Sequence, residues 1–197
     1  KETNYHYVLW YDDDRTILEK HQEYERKFPD IGEPKWLYLS SLGEDTLEYH
    51  HQIAEYLKIH PSISLAFQPG TFQIKLGKEV LKDIYARTKI FFCNVTEAEK
   101  ILGLENVEVK ELIKEMHALG PEIVVITDGV KGAHASDGTH ILFQAPYPDP
   151  KPPLERTGAG DAFRGGFIAG YLRGFDLKTC GQMGSIAAVY TVERYGT

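Results

Sequence analysis

The stretch "RTGAGDAFRGGFIAGYL", Arg156 to Leu172, is the part of this sequence whose reading decides the fold. Glycines at 158 and 160 permit positive φ and leave the amides of residues 158–161 uncovered by side chains. Because "DAFRGGFIAGYL" continues as a helix, those N–H groups and the helix dipole together form an anion site. Asp161 falls in the first turn of that helix. Two roles suit a carboxylate there. It can complement the dipole, or it can accept the proton of a hydroxyl about to attack phosphorus. The stretch is not a G-x-G-x-x-G fingerprint, since Phe163 stands at the third glycine position and no strand runs directly into it.

Working outward, residues 4–11 and 15–20 alternate as strands of a β-hairpin around the polar turn "DDDR". The pattern then changes. "KWLYLSS" reads as a strand, Asp45 to Ile59 as a helix and "SISLAF" as a strand. A "QPG" turn follows, then a helix from Leu76 to Ala86, the strand "KIFFCN", and helices over 96–102 and 108–118. "EIVVIT" is the next strand; "GAHASD" and "HILFQA" flank a turn at Asp137-Gly138; helices over 160–173 and 178–194 close the chain. Between them, "PYPDPKPPLE" has five prolines within residues 146–153, an extended segment unable to join a ladder. Strands alternating with helices predict an α/β fold with a mostly parallel sheet between helices, in three Rossmann-like layers. The near-continuously apolar strands suit burial on both faces. In such sheets ligands bind beyond the carboxyl ends of the strands. Ser40-Ser41, Gln68-Pro69-Gly70, Asn94 with Glu97, and Thr127-Asp128-Gly129 are all expected at that edge.

Composition excludes several classes. A net charge of −7 over 197 residues offers no basic stripe, so no nucleic-acid partner is expected. No apolar run approaches the roughly 20 residues of a membrane span, and nothing resembles a signal peptide, so a cytoplasmic protein without a membrane partner is expected. Cys93 and Cys180 lack metal-type spacing, and the eight histidines, including His50-His51, match no zinc pattern.

Three motifs in order now carry a resemblance. "RTGAGDAFRGGFIAGYL" resembles the signature of ribokinase-like (pfkB) carbohydrate and nucleoside kinases. "NVTEAE" is similar to that family's N-x-x-E motif, and "TDGVKGA" to its T-x-G-x-x-G strand turn. The resemblance covers essentially the whole chain. It implies a ribokinase-like fold, with residues 1–22 as part of a lid hairpin and 23–197 as the nucleotide-binding and catalytic domain. It also implies an ATP-dependent phosphotransferase acting on an alcohol of a nucleoside or a sugar, with Mg²⁺. Carried over residue by residue, Asp161 is the base, and the amides of Gly158, Ala159, Gly160 and Asp161 form the anion hole. Asn94 and Glu97 organise Mg²⁺ through water, an arrangement that suits a cation which retains waters. Thr127 and Gly129 approach the phosphates, and Gly132 allows the tight turn. Lys131 is placed either at a phosphate or in solvent.

Departures qualify the resemblance. Glu155 and Arg156 stand where the family commonly has Asp-Thr, and an arginine there argues against a monovalent cation. Arg156 is left to contact a nucleotide phosphate, or to pair with Glu155 or Asp161. Arg164 lies within i,i+3 reach of Asp161, so a simple ion pair is expected. The family's upstream Gly-Gly-Asn segment does not occur, which reads as truncation at the lid and leaves the acceptor unspecified. Within the family reading a nucleoside acceptor is preferred and a sugar is the alternative; a catalytically silent nucleotide-binding regulator competes with both. The apolar strand Tyr5–Tyr11 suits either covering a substrate or pairing two copies through their lids.

Overall fold

A computed structural model describes residues 3–11, 14–20, 22, 25–148, 154 and 156–193. Strands β1 (Tyr5–Tyr11) and β2 (Asp14–Lys20) pair antiparallel, Tyr5 opposite Lys20 and Val8 opposite Ile17. This is the expected hairpin, and it leaves Tyr7, Leu9 and Leu18 exposed. Asp12 and Asp13 of its turn lie outside the described residues.

The second sheet has six strands in chain order: β3 (Trp36–Leu39), β4 (Ser64–Phe67), β5 (Thr88–Asn94), β6 (Ile123–Thr127), β7 (Ala133–Ser136) and β8 (Ile141–Gln144). Pairing is parallel from β3 to β6 and antiparallel from β6 through β8. The connecting helices are α1 (Leu47–Ile59), α2 (Thr71–Leu76), α3 (Lys82–Ala86), α4 (Val95–Leu102) and α5 (Val109–Ala118). A sheet that steps one way through crossovers of one hand places every crossover helix on the same face. These five helices accordingly share one core, and α6 (Ala159–Leu172) and α7 (Leu177–Val192) cover the other face.

The strands divide their side chains between the two cores with period two. Phe91 and Cys93 of β5, with Val124 and Ile126 of β6, face the α1–α5 side. Ile90, Phe92, Ile123 and Val125 face Phe163 and Phe167 of α6 and Cys180 of α7. Burial on both sides is what makes these strands read as unbroken apolar runs.

Two helix boundaries differ from expectation. The helix expected over Leu76–Ala86 is confined to α3 at Lys82–Ala86, because a separate helix, α2, ends at Leu76 and Gly77 at φ 91° and ψ 155° cannot continue it. The helix expected from Asp45 starts at Leu47, since Asp45 sits at φ 55°.

A buried polar hub ties the ends of β3 and β4 together. The Gln73 side chain accepts from the amides of Gly70 (2.7 Å) and Leu42 (3.3 Å) and donates to the Ser40 carbonyl (3.1 Å). Its nitrogen also meets His50 Nε2 at 3.0 Å, while His50 Nδ1 meets the Thr46 carbonyl at 2.6 Å. These partners fix the tautomer: Nδ1 carries the proton and Nε2 accepts. Every polar atom of the Gln73 amide is thus engaged, as burial requires.

Candidate functional site

A cleft of about 650 Å³ opens where β5 and β6 end. Asn94, Thr96, Thr127, Asp128, Gly129 and Gly132 line it from the sheet edge, and Arg156, Ala159 and Gly160 from the start of α6. Val130, Pro146, Tyr147, Val189 and Val192 supply apolar wall. The volume and the mixture of apolar surface with a few polar groups suit a small-molecule site. The start of α6 thus lies at the strand-end edge of the sheet.

Residue by residue, the expected set divides. Asn94, Thr127, Gly129, Gly132, Arg156, Ala159 and Gly160 share the cleft; Gly158, Asp161, Glu97 and Lys131 do not line it. Lys131 Nζ sits 3.2 Å from an Asp128 carboxylate oxygen with its side chain 78% exposed, so in this structure it has the solvated placement. Thr127 Oγ1 reaches the Cys93 carbonyl at 3.5 Å. Gly132 adopts φ 106°, and a Cβ there would lie 2.4 Å from the Gln144 carbonyl oxygen, so the tight turn admits only glycine. Glu155 lies outside the described residues. Arg156 lines the cleft, while the Asp161 carboxylate pairs with Arg164 instead.

The start of α6 is open. Gly158 takes the N-cap position at φ 79° without a side-chain cap, and its carbonyl accepts from Ala162 N–H at 2.8 Å. The first amides of a helix have no i−4 carbonyl to reach. Ala159 N–H makes one long bond, 3.4 Å, to the Arg156 carbonyl. Asp161 lies in this turn with its side chain 74% exposed, and Arg164 Nη2 donates to its Oδ1 at 2.8 Å. The expected i,i+3 ion pair therefore forms.

Asn94 and Glu97 build a reciprocal capping box at α4. Asn94 Oδ1 accepts from Glu97 N–H, and Glu97 Oε2 accepts from Asn94 N–H, each at 2.8 Å. The N-x-x-E spacing carries that signal directly, yet the motif suggested a magnesium role first. Among the described residues no group of three His, Cys, Asp or Glu converges as a metal cage. The cap engages Glu97 through Oε2, and a single carboxylate of this kind fits a cation that keeps most of its waters, as Mg²⁺ does.

Sequence reasoning missed the contribution of α7. Ser185 accepts from the Tyr147 amide at 2.7 Å, and its hydroxyl reaches the Ala145 carbonyl at 3.4 Å, so α7 holds the segment that walls the cleft. The small residues of "GSIAA" were the available sign of a close approach. Among the described residues no helix is long and apolar enough to cross a membrane.

Comparison with known proteins gives this arrangement a context. Cytidine kinase of Thermococcus kodakarensis is 39% identical over 119 residues, 60% of this chain and 42% of the relative. Nucleoside kinase of Methanocaldococcus jannaschii is 31% identical over 134 residues, covering 67% of this chain and 42% of the relative. The chain thus spans less than half the length of these relatives. The crystal structure of the M. jannaschii nucleoside kinase, a ribokinase-family member, superposes with a TM-score of 0.69 at 26% identity, over 85% of this chain and 52% of that one. A PfkB protein from Polaromonas sp. JS666 shares the fold over the whole chain and 69% of its own, with a TM-score of 0.77 at 19% identity. The profile of pfkB family carbohydrate kinases matches residues 2–197, and the chain belongs to that family.

Proposed function

We propose that this chain forms the nucleotide-binding and phosphoryl-transferring part of a kinase that moves the γ-phosphoryl group of ATP to a hydroxyl of a nucleoside. One juxtaposition carries the reading: the uncapped first turn of α6, bearing Asp161, meets the ends of β5 and β6 around one cleft. The nucleoside preference is supported by relatives named cytidine kinase and nucleoside kinase; a relative named 6-phosphofructokinase keeps a sugar as the alternative.

In this reading Asp161 takes the proton of the acceptor hydroxyl. The acceptor oxygen bonds to the γ-phosphorus, the bond from that phosphorus to the β,γ-bridging oxygen breaks, and ADP leaves. An aspartate suits this role because transfer passes through a loose transition state, where the proton moves late and positioning dominates. The open amides of residues 158–161 favour negative charge on the transferring group, a contribution often the largest in such sites. Asn94 and Glu97 would help hold Mg²⁺, which when bound offsets phosphate charge. Arg156 and the Thr127–Gly129 turn line the phosphate path.

The test follows ADP release from the protein with ATP and Mg²⁺ across a panel of nucleosides and sugars, with Asp161→Asn in parallel. Turnover on a nucleoside, lost in Asp161→Asn while ATP still binds, is the expected result. Undiminished turnover in that variant would overturn the role of Asp161, and turnover on sugars alone would move the acceptor to the alternative.

A further inference from the structure

We infer that Arg164 is a positioning residue: it holds the Asp161 carboxylate in the orientation from which it receives the acceptor proton. The inference rests on the phosphoryl-transfer reading above.

Side chains on a helix lean toward its N-terminus, so Arg164 reaches back along the first turn of α6. Its guanidinium packs directly on Gly160, where a Cβ would lie 3.4 Å from both Nη1 and Nη2. Two other i,i+3 pairs on helices are solvated at both ends. Lys58 and Glu55 are 73% and 69% exposed, and Lys114 and Glu111 are 71% and 48%. Pairs of that kind contribute little. The Arg164 side chain is only 13% exposed while Asp161 is 74% exposed.

Burying a guanidinium is unfavourable unless its donors are matched, and Arg164 Nε is buried with no partner among the described residues. A pair serving stability alone gives no reason for that placement; a pair serving the carboxylate does. The guanidinium lies within electrostatic reach of the sheet. Its charge is felt at Tyr38 on β3 and at Cys93 on β5, opposing the upward push of burial on both groups. Tyr38 in turn donates to Gln68 Oε1 at 2.8 Å.

The consequence is geometric. A short, exposed carboxylate would otherwise sample several rotamers. With Oδ1 bonded to Arg164, Oδ2 is presented to the acceptor. When the proton arrives on Oδ2 the carboxylate becomes neutral, and the guanidinium remains beside the turn that holds the transferring group.

The experiment compares Arg164→Ala and Arg164→Lys with the parent protein and with Asp161→Asn, using ATP and the best acceptor from the panel. Arg164→Ala should lower kcat by about a hundredfold while leaving both KM values within about threefold. Arg164→Lys should recover about tenfold of that loss. Adding Arg164→Ala to Asp161→Asn should cost almost nothing more, because the two residues act as a unit. An unchanged kcat in Arg164→Ala, a loss carried by KM, or losses that multiply would each overturn the inference. If Arg164→Ala does not fold, the same kcat-against-KM criterion applied to Arg164→Lys decides. A dead Asp161→Asn beside a fully active Arg164→Ala sinks this inference alone; a fully active Asp161→Asn sinks the phosphoryl-transfer reading beneath it.

Discussion

Two helices begin at the same edge of the sheet, and they begin differently. At α4 the chain closes its own end: Asn94 and Glu97 exchange side-chain bonds with each other's amides at 2.8 Å. At α6 it does not. Gly158 has no side chain to offer, sits at φ 79°, and leaves the first turn open toward the cleft. Buried or ligand-facing amides need acceptors in either case. The first helix supplies them from its own sequence, and the second leaves them open, which the proposed function reads as room for an anion. Asn94 therefore has structural work that is complete without ligand, whereas Gly158 caps α6 with no side chain at all.

The sharpest way to break this contrast is at Asp161. Its replacement by Asn should lower kcat by about a thousandfold, within the range for loss of a general base. The melting temperature should hardly move, because the side chain is mostly exposed and the Asn carbonyl oxygen can still accept from Arg164. A melting transition that falls together with activity would instead make Asp161 a structural residue of the helix end. The next largest effect is expected at Gly158. Forcing an alanine into the left-handed region costs about 1–2 kcal/mol, read as a lower urea midpoint at unchanged slope. A turn that relaxes away from positive φ re-aims its amides, so calorimetric titration should also show ATP binding weakened by about tenfold, or about 1.4 kcal/mol. Unaltered affinity would mean that the open turn is not where phosphate binds.

How legible this was from sequence depends on the range of the forces involved. Strand β5 could be read because its burial on both faces is written into consecutive residues, and its end at Asn94 follows from the cap that starts α4. The i,i+3 partnership of Asp161 with Arg164 is likewise local. What lies beyond local pattern is that Arg164 is buried, since this depends on β3 and β5 ending beneath α6. The same limit hid Ser185, whose bonds reach across 38 and 40 residues. The run Leu76–Ala86 looked like one helix because its apolar spacing outweighed Gly77, whose positive φ becomes visible only once α2 and α3 are docked.

At α4 the contrast predicts the opposite balance. Asn94→Ala should destabilise the protein by about 1 kcal/mol, as loss of an N-cap does, with a smaller change in ATP affinity than Gly158→Ala. Asn94→Asp keeps an acceptor for the Glu97 amide and should melt close to the parent. If Asn94→Ala instead abolishes nucleotide binding with unchanged stability, the cap is incidental and the side chain belongs to the ligand.

The smallest effect lies behind the open edge, at the hub that anchors the loops after β3 and β4. His50 is 1% exposed, and burial lowers its pKa, with the bond to the Thr46 carbonyl opposing and His51 assisting. A histidine whose pKa is lower folded than unfolded lets the unfolded chain bind the proton first. Its contribution is therefore complete above about pH 6.5, the unfolded value, and is lost as pH falls from there toward the folded value. Protonation would also place a donor on Nε2 facing the Gln73 amide nitrogen, setting donor against donor. Urea titrations between pH 7.5 and about 5 should show stability declining with acidification in the parent. His50→Gln keeps a neutral side chain at that position and should flatten this part of the profile. An equal slope in the variant would assign the acid sensitivity to other groups and leave the hub indifferent to pH.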